Sequence, residues 1–365
     1  LWPSKFSVHT VRESKWRNGK GDVLKELSKA CKEYGLKFGV YISPWDRNHP
    51  DYGTEKYNDV FVGMMKEIFQ NYSPVWELWW DGANGEGPNG KKQVYDWKRY
   101  KETVRKLSPS TVVFSDVGPD IRWCGNENGI AGETNWNYLD TDGFEPGAKA
   151  PKQDVLNSGN ANGKYWIPAE CDVSIRPGWF YHKEEDSKVK TPEQLFQLYL
   201  KSVGRGANLL LNVPPDWRGL IHENDSAALV GFKKLRDEAF RHDLFQNRKI
   251  SFVSGDSVKS FNIEEGFLMK RKLLSGESIT ITYKKPATIN CIEIAEDIRT
   301  GQMVEQFYVQ LGNQNRVESY MFSTIGRKRI ITFPAFEAEH LIIKIVSAKG
   351  DVRIKTVRTF LIPER

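Results

Sequence analysis

Asp81 stands in the stretch ELWWDGANGEG, where two indoles lead into a carboxylate and the chain then dissolves into glycine and asparagine. Side chains alternate along a strand, so an extended run that stops here puts Trp79 and Asp81 on one face and Trp80 on the other. An indole beside a carboxylate offers a sugar ring an apolar floor and an oxygen near its anomeric carbon. The same residues also fit a core tryptophan followed by a helix cap, and the stretch alone leaves both readings open. Glycoside hydrolysis needs a second carboxyl group. DVGPDIRWCGNENG supplies Asp116, Asp120 and Glu127. Asp116 ends an apolar run and can be a cap. Asp120 sits in a Gly-Pro turn, where aspartate is common for turn reasons alone. Glu127 lies in a long Gly/Asn loop behind an Arg-Trp pair and is the favoured partner, with Asp116 next. A glutamic acid that donates a proton near neutrality calls for burial and a neighbouring negative charge, so Glu127 is expected to be buried near Asp81.

The elements that must carry these groups are helices and strands in alternation. GDVLKELSKACKEYG sets Val23, Leu24, Leu27, Ala30, Cys31 and Tyr34 on one helical face, with Asp22 to cap its start and Gly35 its end. A short apolar run, LKFGVYISPWD, follows and breaks at Pro44. Helices over 54–71 and 91–107 lead to the runs PVWELWWDG and TVVFSD, and YWIPAECD reads as one more strand. TPEQLFQLYLKSVG carries Thr191, Pro192 and Gln194 in the pattern of a capping box and feeds ANLLLNVPPD. Buried strands alternating with amphipathic helices mean a parallel sheet covered by helices. No glycine-rich phosphate loop follows any of these strands. Polar residues stand instead at the predicted ends of several strands: Asp46, Asp81, Asp116, Asp172 and Asp216. That distribution fits a (β/α) barrel of the TIM type, although only five or six strands can be read where a complete barrel has eight. Beyond about residue 245 the texture changes to short alternating segments, which predicts a C-terminal antiparallel β-sandwich of jelly-roll type over 246–365, after a catalytic barrel over 1–245.

Bulk properties exclude several functions. No apolar run is long enough to span a membrane. Residues 1–240 hold 33 basic and 33 acidic side chains, whereas 241–365 hold 20 against 14 and carry the whole net charge of +6. All 12 tryptophans fall between Trp2 and Trp217. Basic and aromatic surface are thus segregated, where a nucleic-acid groove would interleave them. The four cysteines have no CxxC spacing, and no His/Asp cluster at metal spacing stands out, so neither metal nor cofactor is expected.

LWPSKFSVHTV, LKFGVYISPWDRNHPDYG, ELWWDGANGEG, SDVGPDIRWCGNENG, AECDVSIRPGWFYH and GANLLLNVPPDWRGLI together resemble family 29 glycoside hydrolases, the retaining α-L-fucosidases. PWDRN and RWCGNE look like the branch that releases α-1,3- or α-1,4-linked fucose. The resemblance implies a (β/α) barrel followed by a β-sandwich, with the nucleophile at Asp81 and the acid/base at Glu127. Trp79 would shape the pocket floor, and Trp179 is a candidate contact for the fucose methyl group or else a core indole. His182 can hydrogen-bond a hydroxyl or be structural, and Trp45 and Asp46 can read the sugar next to fucose. The family's histidine-bearing segment upstream of LWPSK is not in this chain, so the barrel is expected to be N-terminally incomplete. The implied substrate is a fucosylated oligosaccharide or glycoconjugate, and the implied compartment is the periplasm or the exterior. A galactosidase, or a carbohydrate-binding protein with an inactive barrel, are the competing readings.

Overall fold

The computed structural model describes residues 1–244, 249–254, 257–262 and 274–363. In chain order the elements begin with α1 (Val23–Glu33), β1 (Gly39–Ile42), α2 (Lys56–Tyr72), β2 (Glu77–Trp80), α3 (Trp97–Leu107), β3 (Val112–Ser115) and β4 (Ile121–Trp123). There follow β5 (Tyr138–Leu139), α4 (Gln153–Ser158), β6 (Tyr165–Trp166), β7 (Ala169–Ser174), α5 (Pro192–Lys201), β8 (Asn208–Asn212) and α6 (Glu223–Ala239). The chain forms two compact units. The first comprises Leu1–Trp123, Asp140–Lys152 and Lys164–Ile167, and the second Cys124–Leu139, Gln153–Gly163 and Pro168–Arg365.

In the first unit β1, β2, β3 and β4 pair side by side, all parallel. Helix α2 is its most buried element: Phe61, Met65 and Ile68 are fully covered against the sheet core. The backbone N–H of Lys25 donates to Asp22, the cap expected for α1. Of the predicted apolar stripe on α1 only Leu24 is buried, and Leu27 and Tyr34 stay exposed. Helix α3 starts at Trp97, later than the periodicity predicts, because Asp96 caps it by accepting from the Arg99 N–H at 3.0 Å. Gln93, just upstream, is buried as a tether: it accepts from Gly53 N–H and donates to the Val94 carbonyl. Strand β4 was not legible, because it is three residues long inside a Gly/Asn-rich stretch.

In the second unit β7 and β8 pair in parallel, with Cys171 opposite Leu209. Pro168 ends the predicted run YWIPAECD as a single strand and leaves β6 and β7 as separate pieces. Thr191 and Gln194 form the full capping box at the start of α5. The rest of this unit is antiparallel: β9 (Lys249–Ser254), β10 (Ser257–Asn262), β11 (Ser278–Glu296), β12 (Val304–Gly312), β13 (Val317–Ser323), β14 (Arg329–Ala348) and β15 (Ile354–Phe360). Segments predicted as separate short strands join into the long strands β11 and β14. Their mutual register shifts between Thr282 and Ala287, so one half of β11 also pairs with β9 and the other with β15. Strands that bend at such irregularities can serve two faces of one core. Parallel strands alternating with helices, then an antiparallel C-terminal β domain, define an α/β barrel type of fold. No described helix is long and apolar enough to cross a membrane.

The change of texture near residue 245 is not where the compact units divide, and residues 245–248 lie outside those described. The reason is a set of polar pins and one apolar joint within the second unit. Arg327 donates to the carbonyls of Gly206 and Ala207 at 2.9 and 2.8 Å, and Arg329 to that of Glu133 at 2.6 Å. Gln302 accepts from the Asn137 N–H at 2.9 Å. Phe240, just beyond α6, meets the fully buried Phe360 edge-to-face at 5.1 Å. Phe360→Ala should therefore lower stability by about 3–5 kcal/mol. Denaturant unfolding measures it, and an unchanged midpoint would show that this joint carries no load.

Candidate active site

The register of the first sheet aligns three rings. Tyr41 on β1 lies opposite Trp79 on β2, and Trp79 opposite Phe114 on β3. Tyr41 and Trp79 stack at 5.3 Å between centroids, and Trp79 and Phe114 at 4.0 Å. Trp80, one residue on, is 2 % exposed and turns the other way toward Trp97 and Tyr100 of α3. The alternation expected for ELWWD is what the strand adopts.

Asp81 leaves β2 on the aromatic face. Its Oδ2 accepts the Tyr41 hydroxyl at 2.6 Å, and its Oδ1 accepts the Ala83 N–H at 2.8 Å. Burial of the Tyr41 hydroxyl, and then the Asp81 carboxylate, push the phenol pKa up, so Tyr41 remains a donor throughout the neutral range. Sequence reasoning missed Tyr41. The available signal was its place on β1, which brings it level with Trp79 once the two strands are laid parallel.

The glycines of GANGEG answer to close approach. A Cβ on Gly82 would lie 2.3 Å from Asp116 Oδ2 and 2.4 Å from the Gly147 nitrogen. One on Gly85 would lie 2.1 Å from the Trp45 ring, whose N–H donates to the Glu86 carbonyl at 3.3 Å. Tyr41, Ser43, Trp45 and Asp46 line a cavity of about 460 Å³. Asp46 is partly committed to the backbone, since one oxygen accepts the N–H groups of Asn48 and His49 at 2.8 and 3.0 Å. Asp116 accepts the Gly147 N–H at 2.5 Å. Burial raises its pKa, the Gly147 bond offsets part of that, and the Asp81 charge adds to it.

Glu127, Trp179 and His182 belong to the second unit. Asn126 organises the Glu127 loop: its Oδ1 accepts the Asn128 N–H at 3.1 Å and its amide donates to the Ile130 carbonyl at 2.8 Å. Asn157 donates to the carbonyls of Cys124 and Ile130 from the other side. The expectation of a buried Glu127 is not met. Its side chain is exposed, because both flanking asparagines turn the tight loop on itself and leave the glutamate at the tip. Trp179 is 37 % exposed, and its carbonyl accepts from Asn212 at the end of β8 at 3.0 Å. It is thus not a core indole. His182 is exposed and precedes a short 3₁₀ turn, Lys183–Lys188. Asp172 lies within β7 and is buried, not at a strand end as predicted, because β7 runs two residues further. Asp216 is held by Arg218, which pulls its pKa down to about 2.

A carboxylate held on an aromatic floor at the carboxyl end of a parallel strand stands where enzymes of the α/β barrel class assemble their sites. The family model described as Alpha-L-fucosidase matches residues 1–234. Alpha-L-fucosidase 1 of Arabidopsis thaliana is 35 % identical over 377 residues, covering 99 % of this chain and 73 % of that one. A solved glycoside hydrolase 29 family member from an unknown rumen bacterium is 37 % identical with a TM-score of 0.88. The match covers 100 % of this chain and 65 % of that chain, so the protein spans slightly under two thirds of the rumen relative. The chain belongs to the α-L-fucosidase family, glycoside hydrolase family 29.

The raised pKa of Asp116 has a measurable consequence. A carboxyl whose folded pKa lies above its unfolded value stabilises the fold at low pH, and that contribution fades as pH rises through the folded value. Asp116→Asn keeps an acceptor for Gly147 and removes the charge. Its stability relative to the wild type should therefore improve from pH 4 to pH 7, as read by urea unfolding at both. A difference independent of pH would contradict the shift.

Proposed function

We propose that the protein is a retaining α-L-fucosidase acting on fucosylated oligosaccharides, with α-1,3- or α-1,4-linked fucose as the bond it cleaves. The observation that carries the reading is Asp81, fixed by the Tyr41 hydroxyl beside the stacked Trp79 ring, together with membership of the family. In the first step an Asp81 oxygen attacks the anomeric carbon of fucose and forms an ester as the glycosidic bond breaks. Glu127 gives its proton to the departing oxygen. In the second step Glu127 takes a proton from water, which attacks the same carbon and releases fucose with its configuration retained. Tyr41 keeps the nucleophile oriented, and Trp79 supports the floor on which the sugar rests. Trp45 and Asp46 face the cavity that can receive the neighbouring sugar, and Trp179 and His182 supply an apolar and a polar contact to fucose. Fucosylated glycans are met mainly outside the cytoplasm, which supports the periplasm or secretion as the compartment.

Three experiments test these roles. A 2-fluoro-fucoside should leave its label on the peptide that holds Asp81, and label on another carboxylate would remove Asp81 as nucleophile. Tyr41→Phe, which takes a hydrogen bond from a charged group, should lower kcat/KM by about 10- to 100-fold. Glu127→Ala should depress hydrolysis of a Lewis-type trisaccharide far more than formation of the fucosyl-enzyme from a nitrophenyl fucoside, whose leaving group departs without a proton. Azide should then restore turnover of the aryl substrate and yield the α-fucosyl azide, because it enters from the face the leaving group vacated. Equal losses on both substrates without rescue would transfer the acid/base role to another carboxyl group, Asp116 being the first to test.

A further inference from the structure

Trp217 is 85 % exposed, at the tip of the turn between β8 and α6. The turn that presents it is rigid. Asp216, whose side chain is 4 % exposed, accepts the Arg218 N–H at 2.8 Å and its Nε at 2.9 Å. The Asp216 N–H donates to the Leu220 carbonyl at 2.8 Å, and Pro215 and Ile221 bridge the base of the turn. The indole meets Tyr181 perpendicularly, at 6.1 Å between ring centroids and 89°. Tyr181 in turn lies over the guanidinium of Arg176 at 4.8 Å. Arg176 is fully buried and paired with Asp225 and Asp186, both at 3.0 Å. A large apolar ring is thus fixed in place from below while its surface is left to solvent.

We propose that Trp217 is a stacking platform for a sugar of the glycan to which fucose is attached. The inference rests on the fucosidase reading above and adds a specificity-determining residue to it. One indole covers about one pyranose ring and is far too small for a stable protein interface. A pyranose has an apolar C–H face for the ring and hydroxyls around its rim. The same turn also carries a polar pair: Arg218, next in the chain and 52 % exposed, is paired with Glu223, 68 % exposed, at 2.8 Å. The placement also fits. The turn follows β8, and Tyr181 sits on the loop after β7 that carries Trp179 and His182. These are the carboxyl ends of adjacent strands, where barrel enzymes assemble their sites.

The test compares a fucosylated tetrasaccharide with a nitrophenyl fucoside, which has no second sugar, on the full chain. Trp217→Ala should lower the ratio of kcat/KM for the oligosaccharide to that for the aryl fucoside by about tenfold, mainly through KM. Trp217→Phe, which keeps a ring, should fall between. An unchanged ratio in Trp217→Ala, with the wild type active on both substrates, overturns this inference alone. A wild type that cleaves no fucoside overturns the fucosidase reading and this inference with it. A change of sedimentation in Trp217→Ala would make the ring a contact between copies of the chain and would also overturn it.

Discussion

The first unit depends on one constraint, the parallel register that sets Tyr41, Trp79 and Phe114 side by side. A register slip of one residue would turn every side chain of a strand to the opposite face. Trp80 would then enter the row and Trp79 the helix-facing core, and the Tyr41 hydroxyl would no longer meet Asp81. The slip is opposed by packing on both sides of the sheet. Leu78 and Trp80 fill the layer under α2 and α3, and the stacked rings fill the other face. Aromatic contacts of this kind add about 0.5–1.5 kcal/mol each beyond the area they bury. The position of Asp81 is therefore secured by the hydrophobic core, and its orientation is left to the hydrogen bonds from the Tyr41 hydroxyl and the Ala83 N–H.

In the second unit a charge cluster does comparable work. Arg176 and Asp225 have no exposed side-chain surface, and taking both out of water is costly unless the pairing is good. Arg176 uses that pairing to hold a loop. It reaches Asp186 and the His182 carbonyl from beneath and supports the Tyr181 ring above. Removing one partner would strand the other charge in the interior, so the loop that bears Trp179 and His182 is tied to the helix that bears Asp225. The segment after β7 thereby gains the rigidity that a recognition surface requires, although it has almost no regular secondary structure.

What was legible in the sequence follows from how local each signal is. Caps and periodicity located α1, α2 and α5, because Asp22, Thr191 and Gln194 act on backbone within one turn. Alternation located the face shared by Trp79 and Asp81. Strand β4 escaped because three residues carry no period, and the start of α3 shifted because Gln93 is held by the distant Gly53 N–H and the helix begins only after the Asp96 cap. Tyr41 escaped for a similar reason, since its importance exists only across strands. The long strands β11 and β14 escaped because Lys284–Pro286 has turn composition, yet the ladder with neighbouring strands carries it through. The exposure of Glu127 has no signal in the chemistry, because the need for a protonated acid does not fix where a side chain on a tight Asn/Gly loop sits.

The two carboxyl groups weighed as partners of Asp81 are separated by the geometry around each. Asp116 is half-buried, accepts the Gly147 N–H and lies against Gly82, where even a methyl group would collide with its oxygen. That oxygen ties the loop after β3 to residue 147 and is packed close against Gly82 of the loop after β2. Glu127 stands at the tip of a loop whose backbone is fixed by Asn126 and Asn157, while its own carboxyl is free in solvent. An acid/base must meet the leaving oxygen in one step and a water in the next, and an exposed carboxyl on a fixed backbone can meet both. The roles proposed for the two residues thus rest on different grounds: Asp81 is held by the core around it, and Glu127 is presented at the tip of a fixed loop.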